Sequence, residues 1–274
     1  MASELMQQLS ETCNFIRSLY PDKPTVGIVL GSGLGNLVNE ISIEKEISYG
    51  DIPHFPVSTV EGHSGKLLLG ELSGKKVLVM AGRFHYYEGY TTQQVAYPIR
   101  VMWMLGVETL LVSNAAGGVQ QGFKVGDLMI IKDHISLFTV NPLLGKNEEE
   151  IGARFPDMSE PYSKALIAKA KAIGARLGYN LKEGVYTGVT GPTFETHAEY
   201  RLIKAVGGDA VGMSTVQEVI AAVHAGMKVF AISVITDLGI REEENKITHE
   251  EVLAAAKDAE PKLTQLFKEM VAVV

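Results

Sequence analysis

The sequence predicts an α/β fold, a single layered domain in which a central, mixed and mostly parallel β-sheet is flanked by helices. Three observations predict it. The stretch from Thr25 to Gly35, TVGIVLGSGLG, opens with a nearly continuous β-branched apolar run and passes straight into glycines. That run is the pattern of a strand covered on both faces. Strand-like and helix-like segments then alternate to the end of the chain, the order of a layered α/β domain. No repeat, linker or low-complexity stretch divides residues 1–274.

Leu5, Leu9, Cys13 and Ile16 recur at helical spacing, so the first element is an amphipathic helix that Pro21 to Pro24 ends. After the opening strand, Leu67 to Leu72 and Lys76 to Met80 read as a hairpin or adjacent strands joined by Ser73-Gly74. A helix fits Gln93 to Leu105, followed by strands at Thr109 to Val112 and Leu128 to Phe138. Asn141 to Pro161, with its prolines, glycines and the acidic run Glu148 to Glu150, is expected to be a mobile surface loop. Ser163 to Leu177 is helical and Gly184 to Val189 is a strand. A helix from Ala198, a strand near Ala210, a helix from Val216, a strand at Val229 to Ile235 and a helix from His249 complete the order.

A Ser/Thr followed three residues later by Glu/Gln marks a helix start, and the pattern stands at Thr91/Gln94, Thr196/Glu199, Thr215/Glu218 and Thr248/Glu251. Before each lies a polar or glycine-rich loop: GRFHYYEGY, GPTFE, GMS and the Asp237 segment. Loops from strand ends to helix starts line one edge of an open α/β sheet, so these are expected to converge on one pocket. Helix N-termini also favour anions.

With 25 basic and 32 acidic residues the net charge is −7, which argues against a sequence-independent nucleic-acid binder. Cys13 is the single cysteine, so no intrachain disulfide forms and a reducing compartment fits. The seven histidines show no metal-ligand spacing. MASELMQQLSET carries no signal pattern, and His224, Gly226 and Lys228 interrupt the apolar stretch Val219 to Ile235. A cytoplasmic protein with no membrane partner is expected.

Gly31, Gly33 and Gly35 allow a turn with φ > 0 whose N–H groups, with the Ser32 hydroxyl, encircle an anion; the alternative is a tight turn that binds nothing. A dinucleotide fingerprint is broken at Asn36, where glycine is required. Arg83 offers a fork of donors to phosphate oxygens and His85 a further one; read alone, they are equally a surface arginine and a packed histidine. His63 sits on another glycine-flexed loop, and Asn114 to Gly118, NAAGG, ends a buried strand with small residues. Phe194 beside Glu195 suits a flat heterocycle, one stacking and the other accepting ring N–H bonds; Glu195 also answers a helix dipole. Met213 reads as packing and Ser214 as a hydroxyl.

Together GSGLG at 31–35, STVEGHSG at 58–65, GRFHYYEGY at 82–90, NAAGG at 114–118, GPTFET at 191–196, GMSTVQEV at 212–219 and THEEVL at 248–253 resemble the trimeric purine nucleoside phosphorylases over nearly the whole chain. The resemblance implies a phosphorylase-like fold and phosphorolysis of purine ribo- and deoxyribonucleosides to free base and (deoxy)ribose 1-phosphate, as in purine salvage. It implies that Ser32, His63, Arg83, His85, the Ala115 backbone and Ser214 hold phosphate. Tyr87 and Met213 then lie along the ribose, His249 reaches its 5′-hydroxyl, and Phe194, Glu195 and Asp237 meet the base, with His85, Glu195 and Asp237 closest to the chemistry. Phe155, within the 141–161 loop, looks like the residue that this family lends to a neighbouring subunit. A homotrimer follows from the resemblance alone. Inorganic phosphate is a co-substrate, and no metal or organic cofactor is implied.

The family members selective for 6-oxopurines carry Asn where this chain has Asp237. An ionised aspartate repels O6, so Asp237 either works protonated or accepts from a 6-amino group. Guanosine and inosine are the expected substrates, with adenosine turned over through Asp237. A methylthioadenosine phosphorylase is the alternative, and a nucleosidase or a non-catalytic nucleoside-binding module are further ones.

Overall fold

The computed structural model describes residues 3–32, 35–57, 64–239 and 248–274. Ser3 caps the first helix, α1 (Glu4–Leu19), whose Leu9, Cys13 and Ile16 are fully buried. The strand β1 (Val26–Leu30) is buried at every position, as a run flanked by layers on both faces requires. It pairs in parallel with β4 (Lys75–Ala81) on one side and with β5 (Thr109–Gly118) on the other. β3 (Lys66–Leu72) and β4 form the expected hairpin, with φ of 51° at Ser73 and 78° at Gly74. Two positive φ values in a two-residue connection match the twist of the flanking strands.

β2 (Ser42–Ser48), SIEKEIS, has no counterpart in the sequence reading, because Ile47 is its one buried residue and its charges resemble a loop. After α2 (Thr92–Leu105) and β5 come β6 (Leu128–Ile135), α3 (Lys164–Leu177), β7 (Lys182–Gly188) and α4 (His197–Ala205). β8 (Ala210–Gly212), α5 (Val216–His224), β9 (Lys228–Leu238) and α6 (His249–Val273) complete the chain. Among the described residues nine strands form one mixed sheet in the order β2-β3-β4-β1-β5-β8-β7-β6-β9, and β9 also pairs with β5. Five strands therefore close on one another, and the core lies between this sheet and the helices. No helix among the described residues is long and apolar enough to cross a membrane.

Several expectations are corrected. The strand expected at Thr109 to Val112 is longer: β5 runs on to Gly118, so NAAGG, read as the end of a buried strand, lies within it between β8 and β9. β9 likewise continues to Leu238, so Asp237 is a strand residue. Gly31 and Gly35 do not supply a positive φ. Gly35 is right-handed at φ −84°. At Gly31 a Cβ would lie 2.8 Å from both the Asn114 Cα and the Ser113 carbonyl, so this glycine lets two backbones approach. Thr91, Thr196 and Thr248 form capping boxes as expected, and Thr215 does not. Residues 141–161 contain no regular element; Ile151 anchors them in the core, and Asn147 bridges the Gly152 carbonyl and the His224 ring.

Candidate active site

The closed part of the sheet sets the geometry. Opposite Gly117, strand β9 carries one extra residue, a bulge that brings Thr236 and Asp237 onto the same side although they are neighbours in sequence. Both face a cavity of about 500 Å³ at the ends of β5, β8 and β9. A Cβ on Gly117 would lie 2.9 Å from the Asp237 carboxylate, so glycine there admits the acid. The first turn of α6 closes another side with His249 and Val252, and the segments 85–88 and 192–195 complete the wall.

Nine of the residues singled out from sequence meet here: His85, Tyr87, Ala115, Phe194, Glu195, Met213, Ser214, Asp237 and His249. Glu88 joins them, and the sequence reading missed it although it stands three residues after His85 in the quoted motif. His85 stacks on Tyr87 at 4.6 Å, and Glu88 accepts from the His85 backbone N–H at 2.7 Å while lying 3.2 Å from Nδ1. A carboxylate there favours the tautomer with the proton on Nδ1. Burial pushes the imidazole pKa down, and the Glu88 contact opposes that shift.

Ser214 occupies an uncommon backbone. Thr215 has φ 72° and ψ −50°, and the Val216 N–H donates to the Ser214 carbonyl at 2.8 Å, the geometry of a classical γ-turn. For a β-branched residue this stores about 1–3 kcal/mol of strain. Its surroundings hold it: Asn114 Nδ2 donates to Thr215 Oγ1 at 2.8 Å, and the Ser214 N–H donates to the Tyr186 hydroxyl at 3.3 Å. Glu218, expected to cap α5, instead accepts from Arg83 Nε at 3.0 Å and Nη2 at 2.8 Å.

Arg83 lies behind the cavity rather than on its wall. Its Nη1 donates to the Ser113 carbonyl at 2.7 Å, and the Ser113 hydroxyl accepts from the Gly31 N–H at 3.2 Å. Arginine and the start of the glycine turn therefore rest on the same residue. Ser32, half-buried in that turn, is not part of the cavity wall. His63 lies outside the described residues.

Across the cavity, burial raises the pKa of the Glu195 carboxyl; the Asp237 carboxylate adds to the rise, and hydrogen bonds from its own backbone and Tyr200 oppose it. Thr236 Oγ1 donates to Asp237 Oδ1 at 3.1 Å. Phe194 presents a partly exposed ring beside them. No group of three or more potential metal ligands occurs among the described residues. Phe155 is elsewhere, 86% exposed with Arg154 over its ring at 5.3 Å, and it lines a different hollow with His134, Asn141 and Leu144.

One end of the cavity thus offers hydroxyl, backbone and imidazole groups suited to an anion, and the other an aromatic face with two carboxyl groups suited to a heterocycle. A family model described as "Phosphorylase superfamily" matches residues 25–272. Purine nucleoside phosphorylase 1 of Geobacillus stearothermophilus is 50% identical, over 96% of each chain. A schistosoma purine nucleoside phosphorylase in complex with hypoxanthine superposes with a TM-score of 0.94 at 40% identity, covering 100% of this chain and 99% of that one. The Schistosoma mansoni enzyme in complex with adenosine gives 0.93 at 41% identity, over 98% of each.

Proposed function

The chain belongs to the phosphorylase superfamily, and on that premise we propose that its cavity performs phosphorolysis of purine nucleosides. The observation that carries this reading is the meeting of His85 and Ser214 with Phe194, Glu195 and Asp237 in one cavity of about 500 Å³. Phosphate lies at the His85, Ala115 and Ser214 end, with Ser32, His63 and Arg83 assigned to the same anion. The ribose runs past Tyr87 and Met213 with its 5′-hydroxyl toward His249, and the base meets Phe194, Glu195 and Asp237.

The reaction balances without a cofactor. The C1′–N9 bond breaks with its electron pair going to the purine, and the sugar passes through an oxocarbenium-like state, as in glycoside hydrolysis. A phosphate oxygen bonds to C1′, and the proton carried by the hydrogenphosphate is passed on, with His85 as relay, and ends on the departing base. A hydrogen bond donated to the base near N7 strengthens as its negative charge develops. Asp237, set on the bulge beside Glu195, hydrogen-bonds the base near N7 and position 6.

Guanosine and inosine are the favoured substrates, with adenosine accepted through Asp237. Methylthioadenosine phosphorolysis is the second reading, favoured by the same aspartate. A cytoplasmic homotrimer is assigned, in which the exposed Phe155 of one subunit covers the sugar of another. The deciding experiment measures purine release from inosine, guanosine, adenosine and methylthioadenosine with and without phosphate. Release that requires phosphate and yields equimolar sugar 1-phosphate is expected. Release indifferent to phosphate identifies a nucleosidase, tight binding without release a binding module, and predominant methylthioadenosine turnover the second reading.

A further inference from the structure

Glu260 places a carboxylate on the core-facing stripe of α6, between buried Ala259 and Leu263, and is itself 3% exposed. A carboxylate so placed is strongly unfavourable unless it is hydrogen-bonded. Both of its oxygens accept from a single residue: Oε1 from the Asn36 backbone N–H and Oε2 from Asn36 Nδ2. Burial raises the Glu260 pKa, and the Asn36 bond and Lys257 pull it back. Asn36 is the residue that breaks the dinucleotide fingerprint, and it opens the short 3-10 turn Asn36–Glu40. It stands four residues beyond Ser32, a separation that extended chain spans in at most about 14 Å.

The other side of Glu260 is equally specific. Pro261 follows it inside the helix and has no N–H for the Lys257 carbonyl, so the hydrogen-bond ladder of α6 is interrupted there. Before the break runs the Thr248-capped stretch that presents His249 and Val252 to the cavity. After it, Leu263, Leu266, Phe267, Met270 and Val271 are buried, with Phe267 against Phe230 at 6.4 Å. Glu260 therefore stands at the joint between the part of α6 that meets the cavity and the part fixed in the core.

We propose that Glu260 is a positioning residue that ties the turn carrying Ser32 to the helix carrying His249, so that phosphate and nucleoside bind cooperatively. The identity of those two ligands rests on the phosphorolysis reading. The tether itself rests on the Asn36–Glu260 geometry.

The test uses the full chain with Glu260→Ala, Glu260→Gln, Asn36→Ala and the Glu260→Ala/Asn36→Ala pair. It reads phosphate KM, inosine KM and kcat, and separately the rise in Tm that inorganic phosphate alone produces. Glu260→Ala is expected to raise phosphate KM about tenfold, to leave kcat within about twofold, and to abolish the dependence of inosine KM on phosphate. Asn36→Ala should reproduce part of this, and the pair should be less than additive. Glu260→Gln, which keeps one acceptor, should fall between. Asn36 is exposed, so Asn36→Ala carries the test if Glu260→Ala fails to fold. Unchanged phosphate KM and an unchanged phosphate-induced Tm rise in the folded variants overturn the proposal. A wild-type protein that releases no purine overturns phosphorolysis instead, and the phosphate-induced Tm rise then decides the role of Glu260 by itself.

Discussion

Arg83 and Glu218 form a bidentate ion pair in the interior, with Nη2 and Oε2 2.8 Å apart and side chains only 1% and 3% exposed. They stand 135 positions apart, at the end of β4 and in the first turn of α5. Removing one partner from such a pair leaves an uncompensated charge in a medium that solvates it poorly. Glu218→Ala should therefore destabilise the fold by about 3–5 kcal/mol. Urea unfolding checks this, and a loss below about 1 kcal/mol would show that Arg83 finds compensation elsewhere.

Glu195 and His85 give opposite pH dependences. Glu195 is held above its unfolded-chain value of 4.5, so its favourable contribution is complete below that value and is lost as pH rises through the folded pKa. His85 is held below 6.5, so its contribution is complete above that value and is lost as pH falls through the folded pKa. Glu195→Gln should raise Tm near pH 7, and the gain should vanish near pH 4, where the wild-type carboxyl is already neutral. Removing a charge-assisted bond to the base should lower kcat/KM for inosine about 10- to 100-fold. Thermal scans across pH, paired with kinetics, separate the two effects.

Asp237→Asn preserves the oxygen that accepts from Thr236 Oγ1 and adds a donor toward the base. The ratio of kcat/KM for inosine to that for adenosine should rise by about tenfold or more, because a site hydrogen bond of the wrong sense leaves a buried polar group unpaired. Equal ratios in the two proteins would remove Asp237 from base selection.

Legibility from sequence followed side-chain chemistry. His85 and Glu195, which line the cavity, were readable because a polar or charged side chain in a glycine-containing motif stands out; His249 came from the family resemblance alone, and the helices were readable from period and caps. Strand β2 was not, since one buried isoleucine among charges carries no pattern. The strand of β5 was taken only to Val112, because small residues chosen for close backbone approach carry little strand signal, and the polar end of β9 at Asp237 was read as loop. Thr215 and Glu218 satisfied a capping pattern by spacing, yet Glu218 is claimed by an arginine distant in sequence, which no local pattern reveals. The bulge that turns Thr236 and Asp237 to one side is likewise a property of strand pairing.

Gly31 and Gly35 of the first turn should respond differently to a methyl group. Gly31→Ala drives a Cβ into the backbone of Ser113 and Asn114 and should cost about 1–3 kcal/mol. Gly35→Ala meets nothing within 4 Å and keeps an ordinary φ, so it should stay within about 0.5 kcal/mol of the parent. Denaturant midpoints of both variants decide whether close approach or turn flexibility is the reason for the first glycine.

Phe155→Ala removes a ring that touches little of its own chain, so the Tm of the isolated fold should not move. In the proposed trimer it should raise nucleoside KM about tenfold while leaving phosphate KM unchanged. Kinetics together with sedimentation equilibrium check both halves.

The closure of β5, β8, β7, β6 and β9 on one another has a further result for the behaviour of the concentrated protein. A ring has no unpaired margin, so that half of the sheet gives a stray segment no row of open amides to zip onto. The free border among the described strands is β2, where Glu44, Lys45 and Glu46 crowd a register irregularity against β3. Charge and a broken pleat at the one available border discourage the strand-by-strand templating from which fibrils grow.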